Sequence, residues 1–204
     1  MDEALRGPIL MLQGLSKDSR KAWNSFFSLA WRRVVVDGGD GLLYLEDLEV
    51  GASFPLGPTQ VELERMLSFA EEFDPQPFHV DEEAAKQSPY GGLIASGWFT
   101  CSLCMRMMYE ALLCRAAGLG SPGVYEIAWP APVRAGETLR GELRILDKRM
   151  SAAVQGRGSV LMRCELWAVD PPGGGEGIPR LVMTATFRAL FRARGLYESS
   201  KTAV

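Results

Sequence analysis

A long segment with almost no charge constrains this chain more than any other feature. Residues 93–118 read LIASGWFTCSLCMRMMYEALLCRAAG, and their only charged side chains before Arg115 are Arg106 and Glu110. A helix that is hydrophobic on every face is usually a buried one. One stripe holds mostly small side chains, which would let a sheet pack closely against it: Gly97, Thr100, Cys101, Cys104, Met108 and Ala111. The segment therefore predicts a long buried helix.

Extended segments on both sides of this helix supply a sheet. Residues 48–60 are predicted to be extended, and strand-like segments follow the helix at 123–133, 137–150, 158–170 and 178–191. The middle two alternate between apolar and charged residues, as strands with one buried face do. One buried helix combined with antiparallel strands predicts an α+β domain with the helix on one face of the sheet.

The bulk composition limits the function classes. A chain of 204 residues with a formal net charge of -3 can bury a sizeable core and lacks the basic excess of nucleic-acid-binding proteins. Three of the four cysteines lie in the apolar helix, which favours a reducing compartment over a disulfide framework. Cys101 and Cys104 form a C-x-x-C without a second pair, so no metal site is expected. No apolar run is long enough for a transmembrane segment, and no secretory signal is recognisable.

The chain divides into three predicted parts. Residues 1–41 form an amphipathic helix and a linker, residues 42–192 the main domain, and residues 193–204 a tail. The N-terminal helix alternates aromatic and basic side chains, so it packs either on the domain or its dimer partner, or on a membrane surface. A cytoplasmic location is expected, and mitochondrial import directed by the N-terminal segment stays open.

The stretch FAEEFDPQPFHVD, residues 69–81, holds the only histidine of the chain. A helix is predicted over 61–73, with Thr59 as its N-cap and Glu62 completing a capping box. Pro75 and Pro77 predict a rigid extended turn from Asp74 to Phe78, followed by a short helix over 81–87.

Two chemical readings of this stretch follow from its residue types. The prolines fix the separation of Asp74 and His79, which suits general acid–base catalysis, because both groups must reach one water or one substrate atom. Alternatively, His79 forms a hydrogen bond inside the turn while Asp74 caps it. In the next stretch, SPYGGLIAS, Gly91 and Gly92 precede the apolar helix. Its free N–H groups could polarise a carbonyl oxygen, or the glycines could simply form a turn.

The combination of FDPQPFHVDEEAA, YGGLIASGWFT and APVRAGETL resembles the MaoC-like dehydratases, the (R)-specific enoyl-CoA hydratases of the hot-dog fold. The likeness covers about residues 43–192. It implies a single hot-dog domain, a homodimer and an acyl-CoA thioester as substrate, with CoA as part of the substrate and no separate cofactor. It also implies that Asp74, as general base, and His79 activate a water. A backbone N–H at Gly91, with Gly92 adjacent, would then bind the thioester carbonyl.

Two departures from the family pattern stand out. Gln76 replaces the usual asparagine, and Phe99 replaces a polar or imidazole side chain that backs the site, a role that Ser96 or Thr100 could take over. Trp98 and Phe99 are expected as walls of the acyl pocket. The alternatives to hydration are an acyl-CoA thioesterase, because one fold hosts both activities, and a non-catalytic acyl-thioester-binding subunit.

Overall fold

The structure, a computed structural model, describes residues 41–170 and 178–194. The strands are β1 Ser53–Gln60, β2 Gly123–Ala128, β3 Thr138–Met150, β4 Arg157–Asp170 and β5 Arg180–Arg192. The helices are α1 Leu63–Phe73, α2 Pro77–Val80, α3 Glu82–Gln87 and α4 Gly97–Ala111, with 3-10 turns at Leu45–Asp47 and Leu113–Arg115. The predicted N-terminal helix, residues 171–177 and nearly all of the predicted tail lie outside the described residues.

The five strands form one antiparallel sheet in the order β1-β3-β4-β5-β2. Leu139, Leu143 and Ile145 of β3 are buried and alternate with less buried neighbours, as the sequence pattern predicts. Helix α4 buries Leu103 and Met107 in the same apolar core, where each such side chain contributes about 1.5–3 kcal/mol. The predicted α+β architecture, a sheet with one long helix against it, is confirmed.

One face of α4 departs from the prediction of a helix buried all round. Trp98, Met105 and Tyr109 lie along this face, and each is about half exposed. The helix is also shorter than the apolar segment, because Ser96 accepts a hydrogen bond from the N–H of Trp98 and caps the helix only there. An apolar sequence therefore covers two different surfaces, one against the sheet and one facing outward.

The first predicted helix begins later than its capping signature indicates. Thr59 is not an N-cap; it belongs to β1 and pairs with Leu139 of β3. Helix α1 begins at Leu63 after Glu62, whose side chain makes no capping hydrogen bond. Sheet pairing outweighs the local capping signal here. The end of α1 at Phe73 agrees with the prediction.

The proline-framed turn is extended only in its first half. Pro77 is the first residue of α2, a position that proline tolerates because the N–H it lacks would have no partner within the helix. Asp81 then caps α3 by accepting hydrogen bonds from two backbone N–H groups. Among the helices in the two described ranges, none has the length and apolar character needed to cross a bilayer.

Candidate active site

Asp74 and His79 come together in the folded chain. Asp74 directly follows α1, and its N–H donates to Ala70 O at 2.9 Å. His79 lies in α2 and is only 4% exposed. The distance from His79 Nε2 to Asp74 Oδ2 is 3.4 Å. The two side chains therefore share one small region, as their spacing predicts.

The imidazole of His79 has a defined orientation. Its Nδ1 lies 2.8 Å from the carbonyl oxygen of Ile94. Because a carbonyl only accepts, Nδ1 carries the proton and donates it. The other nitrogen, Nε2, is thereby directed toward Asp74. The edge of the ring contacts Phe78, with 4.5 Å between the ring centroids.

Two polar side chains hold the carboxylate of Asp74. Ser96 Oγ donates to Oδ2 at 2.7 Å, and Gln76 Nε2 donates to Oδ1 at 2.8 Å. The hydrogen bond from Ser96 is the main reason that the pKa of Asp74 is lowered, with Gln76 and His79 adding to it against partial burial. Asp74 is therefore ionised at neutral pH. The departure at Gln76 preserves a hydrogen bond to the aspartate.

The pair opens on a cavity of about 500 Å³. Its walls come from the Asp74–His79 region, from the first turn of α4 and from the loop that joins β2 to β3. The lining includes Asp74, Gln76, Phe78, His79, Tyr90, Gly97, Trp98, Thr100, Trp129 and Val133. The rings of Trp98 and Trp129 meet edge to face with centroids 5.6 Å apart. Trp98 thus lies in the wall of this cavity, and its contact with an acyl chain stays a prediction.

The two glycines predicted to bind a carbonyl have another structural setting. Helix α4 begins at Gly97, so the expectation that it begins directly after Gly91 and Gly92 is wrong. The N–H of Gly91 donates to Ser88 O at 3.1 Å. Both glycines have positive φ angles, of 64° and 150°, and neither is among the residues that line the cavity. They form a turn, which is the alternative that the sequence left open.

Gly97 is a candidate that sequence reasoning missed as a carbonyl-binding residue. It lines the cavity as the first residue of α4, and within the described part of the chain its N–H has no acceptor. An added Cβ would lie 2.7 Å from the Trp129 ring, so only glycine fits this packing. The signal in the sequence was present, because Ser96 is a good N-cap residue directly before Gly97.

Of the remaining candidate residues, Ser96 and Thr100 lie beside the Asp74–His79 pair, and Phe99 belongs to the hydrophobic core. Ser96 is fully buried beside Asp74, whereas Thr100 lines the cavity and back-bonds to Ser96 O at 3.4 Å. Phe99 is not a wall of the cavity; it is buried in the core and its ring packs against Phe69, with centroids 5.5 Å apart. Its apolar character therefore suits its position.

A second, apolar cavity of about 420 Å³ continues along the same side of α4. Thr100 lines the first cavity, and Cys101 and Cys104 line the second. The other walls come largely from β2, β4 and β5, and they include Val124, Ile127, Met162, Met183, Ala185 and Phe187. A polar cavity and an apolar cavity thus follow each other along one helix.

The thiols beside these cavities are in an apolar setting. Burial raises the pKa of Cys101 to about 11, and Cys104 Sγ and Cys164 Sγ lie 2.9 Å apart in the core as free thiols. Among the described residues, no group of three or more histidine, cysteine or acidic side chains could hold a metal ion.

Comparisons with known proteins agree with this architecture. A model of the MaoC like domain matches residues 50–162. A 3-hydroxybutyryl-CoA dehydratase of Methylorubrum extorquens is 30% identical over an alignment of 111 residues that covers 52% of this chain and 66% of that protein. The crystal structure of a MaoC-like dehydratase from Rhodospirillum rubrum is 36% identical with a TM-score of 0.65, covering 74% of this chain and 98% of that one.

The fold itself has a wider distribution. A conserved hypothetical protein of Mycobacterium tuberculosis with a double hot-dog fold matches with a TM-score of 0.53 and 20% identity. The match covers 80% of this chain and 44% of that one, and at this identity the likeness concerns the fold alone. The domain has the hot-dog fold, and the chain belongs to the MaoC-like dehydratase family.

Proposed function

We propose that the protein is a hydratase or dehydratase that acts on a 2-enoyl-CoA or the corresponding (R)-3-hydroxyacyl-CoA thioester. The observation that carries this proposal is the approach of Asp74 Oδ2 and His79 Nε2 to 3.4 Å at the wall of a cavity. A carboxylate and an imidazole at this separation can both contact one water molecule.

The proposed hydration starts from the Asp74 carboxylate and the His79 imidazolium. Asp74 accepts a proton from water while the water oxygen bonds to the β-carbon of the enoyl thioester. His79 Nε2 donates a proton to the α-carbon, and a proton passes from Asp74 back to His79. One O–H bond of water and the π bond between the α- and β-carbons are broken, one C–O and one C–H bond form, and both side chains return to their starting states.

The thioester carbonyl gains negative charge during this addition. We propose that the N–H of Gly97 donates to its oxygen, since the first N–H groups of a helix have no partner within the helix and favour negative charge. This assignment replaces Gly91, whose N–H already donates to Ser88 O. Donors fixed before the reaction contribute more than donors that must reorient.

The apolar cavity offers a site for the part of the acyl chain beyond the reacting carbons. We propose that it extends from the polar cavity along α4 into the apolar cavity, where Met108 and Ala185 contact it. Cavities of this size and apolar lining suit small-molecule ligands. CoA remains outside as part of the substrate, and no further cofactor takes part.

A homodimer is the proposed assembly. Strand β2 is at one edge of the sheet, and exposed strand edges readily pair with another chain. Val124 and Tyr125 on β2 are 52% and 68% exposed, and Val124 also lines the apolar cavity. We expect a dimer in sedimentation equilibrium, and Val124→Asp should shift it to a monomer. Val154→Asp, at an exposed turn, is the control; a dimer that persists in V124D would contradict the use of this edge.

The function is tested by incubating the purified protein with a series of 2-enoyl-CoA thioesters. Loss of the enoyl absorbance together with formation of 3-hydroxyacyl-CoA supports the proposal. Release of free thiol from the same substrates would instead identify a thioesterase. Binding of the thioester without any conversion would identify a non-catalytic acyl-binding subunit.

A further inference from the structure

The loop between β2 and β3 contributes a side chain that reaches the turn before α4. Arg134 Nη1 donates to Leu93 O at 3.1 Å, and Nη2 donates to Tyr90 O. A Cβ added at Gly92 would lie 3.3 Å from Nη1, so this glycine gives the guanidinium room. Within the two described ranges, no carboxylate forms an ion pair with Arg134. Its hydrogen bonds go to the backbone carbonyls of a turn.

The backbone of Arg134 is held by a buried glutamate. Glu137 is 5% exposed; its Oε2 accepts from the N–H of Arg134 at 2.9 Å, and its Oε1 accepts from Arg180 at 2.6 Å. Arg180 also donates to Pro132 O at 2.9 Å. The loop that carries Arg134 is thereby fixed to β5. Because the backbone of Arg134 is fixed, its planar guanidinium holds its hydrogen-bond partners in defined positions.

The turn that Arg134 holds leads directly to the partner of the histidine. Ile94 follows Leu93, and its carbonyl accepts the hydrogen bond from His79 Nδ1. The N–H of Ile94 donates to Phe78 O at 3.2 Å. Two consecutive glycines precede this segment, and glycine allows many backbone conformations. Without the guanidinium, the carbonyl of Ile94 would have more freedom to move.

We propose that Arg134 is a positioning residue, which fixes the orientation and the tautomer of His79 through the carbonyls of Tyr90 and Leu93. The chain of contacts runs from Arg134 to the turn, from the turn to Ile94 O, and from Ile94 O to Nδ1. Nε2 is then directed at Asp74. The catalytic consequence rests on the proposed hydratase function, whereas the structural consequence does not.

The sole histidine makes the structural part directly measurable. With ¹⁵N-histidine labelling, the spectrum of the untagged 204-residue chain contains one imidazole, that of His79. At a pH high enough to remove the imidazolium proton, we expect the wild type to show a single neutral tautomer with the proton on Nδ1. Arg134→Met should show a mixture of both tautomers. Arg115→Met is the matched control, because Arg115 also donates to a backbone carbonyl, that of Ala111, but on the exposed end of the helix region.

The catalytic part is measured by steady-state kinetics with an enoyl-CoA. R134M should lower kcat by roughly 10- to 100-fold, the order expected for a displaced catalytic group, with a smaller change in KM. R134K should recover part of kcat. If R134M does not fold, the spectrum of R134K serves the same purpose, because one ammonium cannot hold both carbonyls as the guanidinium does.

The outcomes separate this inference from the proposed function. A folded R134M with the imidazole signals of the wild type would overturn the inference. Mixed tautomers with an unchanged kcat would overturn its catalytic part. Mixed tautomers in R134M together with a wild type that hydrates no enoyl-CoA would support the positioning by Arg134 and refute the proposed function.

Discussion

The two cavities along α4 differ in the side chains that this helix contributes to them, which are polar at one cavity and apolar at the other. At its first turn, Ser96 and Thr100 stand beside an ionised aspartate and a histidine. Further along, Cys104 and Met108 contribute to a cavity that is almost entirely apolar. The first cavity holds groups that can exchange protons with a ligand, whereas the second can only enclose it. Under the proposed function, one helix would place the reaction and the selection of acyl-chain length at different points along its length.

The largest expected effect is at the reactive end. Asp74→Asn keeps the shape of the side chain but removes the charge that accepts a proton, and His79→Gln removes the imidazole. Each should lower kcat by about 10²–10⁴-fold for short and long enoyl-CoA substrates alike, measured by loss of the enoyl absorbance. Circular dichroism checks that the fold is retained. A loss confined to long substrates would mean that the two cavities do not divide the tasks in this way.

Gly97→Ala tests the start of α4, which lies in the wall of the polar cavity. The added Cβ would meet the Trp129 ring at 2.7 Å, so the ring and the cavity wall must shift. We expect kcat to fall by roughly 10- to 100-fold, since small displacements near reacting atoms have effects of this size. Gly91→Ala should instead lower the free energy of unfolding by about 1–2 kcal/mol, because its φ is left-handed, and retain kcat. The reverse pattern would restore Gly91 as the carbonyl-binding residue.

The apolar cavity should respond to a substitution that leaves the chemistry intact. Ala185→Leu adds three carbons to its wall. For long-chain enoyl-CoA we expect kcat/KM to fall by roughly 10-fold or more, the effect of small size changes in an apolar pocket. Crotonyl-CoA is the internal control and should keep its kcat/KM. Equal losses for both substrates would show that the acyl chain does not use this cavity.

The smallest predicted effect is a shift in pH dependence. Ser96→Ala removes the main cause of the lowered pKa of Asp74, so that pKa should rise toward its ordinary value. Because Asp74 acts as the carboxylate, the acid side of the kcat/KM profile should move to higher pH in S96A. Ser102→Ala, at an exposed position on α4, is the control. An unchanged profile would show that the profile reports another group.

The lowered pKa of Asp74 also makes the stability of the fold depend on pH. A carboxyl whose pKa is lower in the folded than in the unfolded state stabilises the fold above its unfolded pKa, and this contribution is lost as the pH falls through the folded pKa. In S96A the contribution from Asp74 above the unfolded pKa is therefore smaller. It is also lost at a higher pH than in the wild type.

The Asp74–His79 pair was easier to predict from the sequence than the other parts of the site and the fold. Asp74 and His79 stand out because His79 is the only histidine of the chain and two prolines restrict the backbone between it and Asp74. The start of α4 was not predicted, because residues 93–95 are as apolar as the helix that follows and Ser96 was not recognised as its N-cap. Thr59 was misassigned because its pairing with Leu139 depends on a strand far along the chain.

The apolar cavity could not be predicted at all. Its lining residues are the same types that fill a core, and only their spacing in three dimensions leaves room between α4 and the sheet. Phe99 shows the converse. A departure from the family pattern suggested a weakened site, yet the side chain packs on Phe69 in the core. Residue type indicates candidate reactive groups well where polar side chains are rare, but it does not indicate where a cavity lies.

The edge-to-face pair of Trp98 and Trp129 has a practical consequence. Both indoles line the polar cavity and are about half exposed to water. A ligand that enters there displaces water from the two rings, so their fluorescence emission should shift to shorter wavelength. The protein thus carries a built-in optical reporter of occupancy. With D74N it can give binding constants for thioesters that are held but not converted.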